Sequence, residues 1–258
     1  MSSISVIILT KNEQENIGNC IKSASWADEI IVYDSNSTDD TAKIATELGA
    51  TVITDPVWEG YGPQRVKAQK HANSDWVFIL DADEVITDAL KLEIQQKLKL
   101  NNTSVIYAVP RLSYCFGRFI RHSGWYPDFV HRLYPKDKTR YNDAMVHEKL
   151  QIPDTMQVEE LSSDLLHYTY KDMNHYLVKS ANYATIWAKD KHSKGKTTNL
   201  TTAVLHGTGC FIKMYIIRAG FLDGKQGFLL ALLSAHSTFV KYADLWSYQY
   251  KNNKGHCE

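Results

Sequence analysis

Over the first eighty residues, unbroken apolar runs alternate with segments of helical spacing. Residues 4–9, ISVIIL, are continuously apolar, the pattern of a strand buried on both faces. EIIVY (29–33), TVIT (51–54) and WVFIL (76–80) repeat it. Asn12 followed by Glu15 predicts a capping box, opening a helix with Ile17, Ile21 and Ala24 on one face. Residues 37–49 predict a second helix, with Ser37 as cap and Gly49 as stop. Pro63 marks the start of a third, running to about Asn73. This βαβαβαβ order predicts an α/β fold built on a mostly parallel sheet with helices on both faces.

Beyond Asn101 the pattern changes. SVIYAVP (104–110) predicts one more strand. The stretch that follows is rich in aromatic residues, Arg and His, and predicts loops and short strands. From Met173 onward the spacing is helical, in three stretches that include FIKMYIIRAGFL and GFLLALLSAHSTFVKYADLW.

Apolar residues make up 44% of the 258, enough to bury a real core and to exclude wholesale disorder. Cys20, Cys115, Cys210 and Cys257 lie far apart, which argues against a disulfide scaffold or zinc ribbon and suits a reducing compartment. No signal peptide is expected: the first apolar run is short and is followed at once by KNEQEN. No membrane span is expected either, because the charge-free stretches 197–212 and 226–240 fall short of the roughly 20 apolar residues a span needs. The net charge is zero but unevenly spread. Residues 171–258 carry 12 Lys/Arg against 5 Asp/Glu, net +7, and residues 1–170 carry 17 against 24, net −7. A basic tail on an acidic body fits either an anionic surface as partner or a solvated basic face.

Three polar clusters stand where ligands bind in such sheets, beyond the C-terminal ends of strands. TKNE follows the first strand, DSNSTDD the second and DADE the fourth. The first turn lacks the G-x-G-x-x-G of a dinucleotide site, and no Walker motif is present. HEKLQ (147–151) ends in Gln151 where a zinc protease needs His. What remains is D-x-D. In an extended segment residues i and i+2 point the same way, so Asp81 and Asp83 can address one cation. Carboxylates favour hard ions such as Mg²⁺ or Mn²⁺, which bridge to substrate phosphates. The alternative is that Asp83 only caps a helix beginning near Val85; on either reading Glu84 is expected in that helix's first turn, where negative charge suits the helix dipole.

In this order and spacing, SVIILTKNEQENI, VYDSNSTDDT and FILDADE resemble the inverting glycosyltransferases of family 2, which have the GT-A fold. WEGYGPQRVKAQKHA, GWYPDFVHRLYP, VHEKL and RAGFLDGKQGF extend the resemblance over nearly the whole chain, to bacterial lipopolysaccharide-core glucosyltransferases acting on an inner-core heptose. The resemblance implies a GT-A catalytic domain over residues 1–170. Its nucleotide-sugar half would cover about 1–100 and its acceptor half about 101–170, followed by a helical, basic region over 171–258. It also implies roles. Thr10 and Glu13 would lie by the uridine and Asp34 would contact the uracil or ribose. Asp83 would hold the metal, with Asp81 nearer the donor sugar and a second candidate ligand. Two positions depart from the family pattern. Asp34 is followed by Ser35 where many members have a second acid, and Arg65-Val66 replaces the usual Arg-Asn or Lys-Asn pair, leaving Gln64, Arg65 and Lys67 as donor contacts.

The implied reaction has an acceptor hydroxyl attack the anomeric carbon of UDP-glucose as UDP departs, with inversion. It needs a base for the hydroxyl proton and positive charge on the departing diphosphate, the latter supplied by the metal. Glu148 in VHEKL and Asp128 in WYPD are the two candidate bases, and His147 is a further candidate metal ligand. Trp125 and Arg132 are candidate acceptor contacts, and Arg111, Arg118 and Arg121 would also suit a phosphorylated inner core. Lys213, Arg218 and Lys225 punctuate an apolar, aromatic region, a pattern that suits an anionic membrane interface. The expected location is therefore peripheral, on the inner face of the inner membrane, and no nucleic-acid partner is expected. Two alternatives share the donor site: a polyprenyl-phosphate sugar transferase, and a non-catalytic UDP-sugar-binding module.

Overall fold

The four apolar runs are strands of one sheet in the computed structural model, which describes residues 2–145, 148–170 and 172–251. The first half alternates β1 (Ile4–Thr10), α1 (Ile17–Ala24), β2 (Glu29–Asp34), α2 (Thr41–Glu47), β3 (Thr51–Thr54), α3 (Tyr61–Gln69) and β4 (Trp76–Asp81). A short β5 (Glu84–Ile86) precedes α4 (Asp88–Leu100). There follow β6 (Val105–Cys115), β7 (Arg118–Phe119), β8 (Asp128–Pro135), β9 (Gln157–Glu160) and β10 (Leu165–His167). The chain ends in α5 (Met173–Ser193), α6 (Leu200–Phe211) and α7 (Gly224–Lys251).

The chain forms two compact units. One comprises Met1–Leu112 and Asp128–His167, the other Ser113–Pro127 and Tyr168–Glu258. The segment 113–127, expected with the acceptor half, groups with the helical region.

In the first unit the strand order is β3-β2-β1-β4-β8-β6-β10-β5. β1, β2, β3 and β4 pair in parallel, as the sequence pattern predicts. β8 runs antiparallel to β4 and to β6, so the sheet is mixed from that point on. This α/β arrangement is the one expected of a GT-A-type domain. Alternate strand residues enter opposite core layers. Val6, Ile8, Phe78 and Leu80 pack with Ile17 and Ile21 of α1 and Leu90 and Ile94 of α4. Ile7, Val77 and Ile79 pack with Ala68 of α3 and Ala72 just beyond it. Each fully buried aliphatic side chain contributes about 1.5–3 kcal/mol, and this double-sided burial is why the strands read as unbroken apolar runs.

Several local expectations need correction. Asn12 does not cap its own helix, which begins at Ile17. With φ 56° it turns away, and its Oδ1 accepts from the Thr38 amide at 2.8 Å, tying the loop after β1 to the loop after β2. Ser37 donates its hydroxyl to Asp34, and α2 starts four residues later. The helix after the D-x-D begins at Asp88, capped by Thr87, which accepts from the Leu90 amide. Asp83 is therefore not its cap, and Glu84 lies in a strand.

In the second unit α6 continues through a π turn over Ile212–Ile217, then a 3₁₀ turn over Gly220–Asp223 leads into α7. The continuous window Leu200–Ile217 is long and apolar enough to cross a membrane by length and composition alone. The sequence reading stopped this stretch at Lys213, but the helix runs on through it.

Candidate functional site

Parallel registers bring the predicted clusters side by side. Thr10 at the end of β1 is opposite Asp34 at the end of β2, and Leu9 is opposite Asp81 at the end of β4. The ladders continue one step beyond the strands: Ser35 donates its amide to the Thr10 carbonyl and Ala82 to that of Leu9. Asp34 is buried, and its carboxylate accepts from the amide and hydroxyl of Ser37. Glu13 accepts from the Asn16 side chain at 2.7 Å, and its own amide donates to Thr41.

Asp81 sits between two arginines. Arg65 of α3 donates to one carboxylate oxygen at 2.9 Å and Arg132 of β8 to the other at 2.6 Å. Arg132 reaches this point because β8 is antiparallel to β4, with Leu133 opposite Phe78. Burial pushes the Asp81 carboxyl up, but the charges of Arg132 and Arg65 outweigh it and hold the group far below the usual carboxylate range.

The same network takes in both candidate bases. Arg65 donates from Nε to Glu148 at 3.0 Å. Arg111 of β6 donates to Asp128 from Nε at 2.9 Å and from Nη2 at 2.6 Å, across the Arg111–Asp128 register of β6 and β8. Glu84 joins the two halves. It is fully buried, accepts from Arg132 at 2.7 Å, lies 3.4 Å from Arg111, and receives the Asp81 amide at 2.9 Å. Glu84 was read as a helix-turn residue. It is instead the buried counter-ion of Arg132, at the center of the network.

Glu148 lies on one arm of a hairpin whose described arms, 141–145 and 148–150, are joined by the Tyr141–Leu150 bridge and by the Asn142 amide donating to the Lys149 carbonyl. The hairpin lies against the start of α3. The amides of Tyr61 and Gly62 donate to the carbonyls of Met145 and Ala144. A Cβ at Gly62 would stand 2.1 Å from the Asn142 carbonyl oxygen, and Gly60 has φ +111°, so WEGYGPQR requires glycine at both positions. The motif thus holds Glu148 beside Arg65, one turn into the same helix. Tyr141 covers the Arg65 guanidinium at 5.0 Å.

Other candidates are placed as follows. Gln64 is buried and donates to the Val57 carbonyl. Lys67 bridges Asp55 at 2.9 Å and Glu59 at 2.5 Å. Arg132, expected at the acceptor, is buried on Asp81 and Glu84 instead. Trp125 belongs to the other unit, beside Tyr170. His147 lies outside the described residues. Thr10 Oγ1, Gln64 Oε1, Arg65 Nη1 and Arg132 Nε are buried polar atoms without a hydrogen-bond partner among the described residues. Four of the six such atoms among the described residues thus lie in this region, and since buried polar atoms are ordinarily paired, they suit a ligand-binding site.

Residues 82 and 83 form a turn, so the D-x-D is not the extended segment the sequence argument assumes. Both oxygens of Asp81 are held by arginines, whereas Asp83 lies 3.4 Å from His167 Nε2. His167 was missed in the sequence. It ends β10, opposite Glu84 in the antiparallel β10–β5 register, a long-range pairing with no local signal. No group of three or more His, Cys, Asp or Glu suited to a metal ion occurs among the described residues.

A GT-A-type α/β domain whose strand ends carry a D-x-D and a buried arginine network is the setting of sugar transfer. Residues 5–156 match the family model described as glycosyl transferase family 2, and the chain belongs to that family. It is a glycosyltransferase. It is similar to an uncharacterized glycosyltransferase of Rickettsia prowazekii (strain Madrid E), 31% identical over 261 residues, covering 95% of this chain and 87% of that protein. It is also similar to the lipopolysaccharide core biosynthesis glycosyltransferase LpsC of Rhizobium meliloti (strain 1021), 27% identical over 254 residues, covering 94% of this chain and 92% of that protein. Among solved structures it matches glucosyl-3-phosphoglycerate synthase from Mycobacterium tuberculosis in complex with Mn²⁺, UDP and glucosyl-3-phosphoglycerate. That match has 28% identity and a TM-score of 0.37 and covers 44% of each chain.

Proposed function

We propose that the protein transfers glucose from UDP-glucose to a heptose of the lipopolysaccharide inner core, inverting the anomeric center to a β linkage in one displacement. The LpsC relative, alike over nearly the whole of both chains, supports the acceptor class. The basic C-terminal region supports work at the inner face of the inner membrane, where such an acceptor is a lipid. The observation that carries the chemistry is the Arg65 guanidinium shared by Asp81 and Glu148. It fixes a candidate base relative to the end of the D-x-D strand.

In this reading Glu148 takes the proton from the attacking hydroxyl, and Arg65 and the hairpin keep its carboxylate oriented. Thr10, Glu13 and Asp34 receive the nucleoside. Gln64, Arg65, Lys67 and Asp81 line the donor side. Asp128 is fastened by two donors from Arg111 and is assigned to holding the network rather than to proton transfer.

The donor set fits a divalent cation. Asp83 and His167, 3.4 Å apart, are a carboxylate and an imidazole, and these two side chains would hold the ion. When bound, Mg²⁺ or Mn²⁺ supplies positive charge to the leaving diphosphate.

The test is transfer from a panel of labelled UDP-sugars to core lipopolysaccharide lacking this residue, with undecaprenyl phosphate as the competing acceptor, with and without EDTA. Glucose transfer to the heptose-bearing acceptor, abolished by EDTA, is the expected result. Transfer to the polyprenyl phosphate instead would reassign the acceptor. UDP binding with no turnover on either acceptor would make the chain a binding module.

A further inference from the structure

The second unit exposes an apolar surface that its own packing leaves uncovered. The junction between α6 and α7 carries Ile212, Ile216, Ile217, Phe221, Leu222 and Phe228, all exposed, Ile217 to 71%. The π turn and the 3₁₀ turn set these residues at the closed end of the α6–α7 hairpin. The junction is nonetheless well built. Phe211, Tyr215, Phe221 and Phe228 contact one another ring to ring, and the Ser123 amide donates to the Arg218 carbonyl at 2.9 Å. The exposed apolar residues therefore stand on a structured support.

The charges at this end are one-sided. Lys213, Arg218 and Lys225 are exposed, and Arg118 lies beside them, its Nη2 3.4 Å from the Leu222 carbonyl oxygen. Between Lys191 and Ala243 the sequence holds one carboxylate, Asp223, and the segment 113–127 holds none. Asp223 is buried. It accepts the amides of Arg121 and His122, and its Oδ1 lies 3.0 Å from His122 Nδ1. Asp223 also approaches Arg118 Nε at 4.0 Å, so the one acid of these segments opposes Arg118 from inside the unit.

We infer that the closed end of the α6–α7 hairpin docks into the interface of an anionic lipid bilayer. Ile212, Ile216, Ile217, Phe221 and Leu222 enter the acyl boundary, and Lys213, Arg218, Lys225 and Arg118 lie at the phosphate headgroups. Exposed aliphatic and aromatic residues rimmed by cations, with no exposed acid in the segments 113–127 and 191–243, match such a surface in both its apolar and its charged layers. A second copy of the chain would present the same cations to themselves, which disfavours self-association through this face. The apolar window Leu200–Ile217, only 17% buried, belongs to the same element. Lys213 within it, and the packing of Gly207 of α6 against Ala235 and Phe239 of α7, suit a hairpin lying at the interface rather than a span. This inference stands independently of the acceptor assignment.

The test is flotation of the purified full chain with vesicles of phosphatidylcholine alone or with phosphatidylglycerol added, at low and high salt. Binding is expected only to the anionic vesicles and is released by high salt. Lys213→Ser/Lys225→Ser is expected to weaken it roughly thirtyfold, from about fivefold per cation. Ile216→Ser/Ile217→Ser/Leu222→Ser is expected to abolish stable binding while leaving the thermal unfolding midpoint unchanged, since these side chains are exposed. Equal binding by wild type and both variants overturns the proposal. So does a change in oligomeric mass of the apolar variant by light scattering with vesicle binding intact, which would make the face an interface between copies.

Discussion

Asp81 and Glu148 share a single guanidinium: Arg65 donates from Nη2 to Asp81 at 2.9 Å and from Nε to Glu148 at 3.0 Å. The acid that ends the D-x-D strand and the proposed base, 67 positions apart in sequence, are thereby held by one rigid planar group. Lysine, a point charge on a flexible stem, cannot reproduce that fork. The proposed roles make distinct demands on these three residues, and those demands can be separated by mutation.

Glu148→Gln keeps the shape of the side chain and can still accept from Arg65, but it removes the proton acceptor. It is expected to lower kcat by about 10²–10⁴-fold with UDP-glucose affinity unchanged by calorimetry. Asp128→Asn is expected to cost much less. Near-normal turnover by the first variant and collapse of the second would exchange the two roles.

Arg65→Lys is expected to preserve part of the charge on Asp81 while freeing Glu148. Its kcat should fall by more than its KM for UDP-glucose rises, because the retained charge still serves the donor while the base loses its orientation. An equal loss in KM with kcat intact would place Arg65 in donor binding alone.

Much of the fold was legible because double-sided burial writes itself into sequence. ISVIIL, EIIVY and WVFIL could be read as strands since nearly every side chain in them meets a core layer. The three polar clusters were legible as neighbours because parallel strands place their C-terminal ends together. What escaped depends on pairings distant in sequence. Glu84 has the same local context whether it caps a helix or neutralises Arg132, and only the β8 register decides. His167 becomes a neighbour of Asp83 only through the β10–β5 ladder. The grouping of residues 113–127 with the helices, and the run of the α6 helix through Lys213, likewise follow from tertiary packing rather than from periodicity.

The buried charges make a stability prediction. Arg132→Met leaves Glu84 fully buried and, apart from Arg111 at 3.4 Å, without a cation. Breaking such a pair is expected to cost about 3–5 kcal/mol in urea unfolding. Adding Glu84→Met to that variant is expected to recover part of the loss, because the uncompensated charge is gone. A loss under about 1 kcal/mol for the single variant, of the order typical for exposed pairs, would show that the network carries little stability.

Asp81 gives a pH dependence of definite sign. Its native carboxyl titrates far below the ordinary value, so between that ordinary value, about 3.9, and the native one the unfolded chain binds the extra proton. The stabilisation is fully present above about pH 4 and is lost progressively as the pH falls through the window below it. In wild type against Asp81→Asn, the stability difference should therefore shrink on acidification below about pH 4. A difference constant over that range contradicts the assignment.

Direct metal binding separates the two acids. Asp83→Asn and His167→Ala are each expected to weaken Mn²⁺ binding, measured calorimetrically in the presence of UDP, by about 10–100-fold. Arg132→Lys, which loosens the hold on Asp81, should change it far less. Equal losses in all three would mean that the ion sits on Asp81.

The most direct measurement of the central claim is the anomeric configuration of the product. With UDP-glucose labelled with ¹³C at the anomeric carbon and a heptose-bearing core acceptor, NMR of the isolated product should show glucose attached to heptose through a β linkage, and no such product with Glu148→Gln. An α-linked product, or a β-linked one formed equally well by Glu148→Gln, would contradict the account.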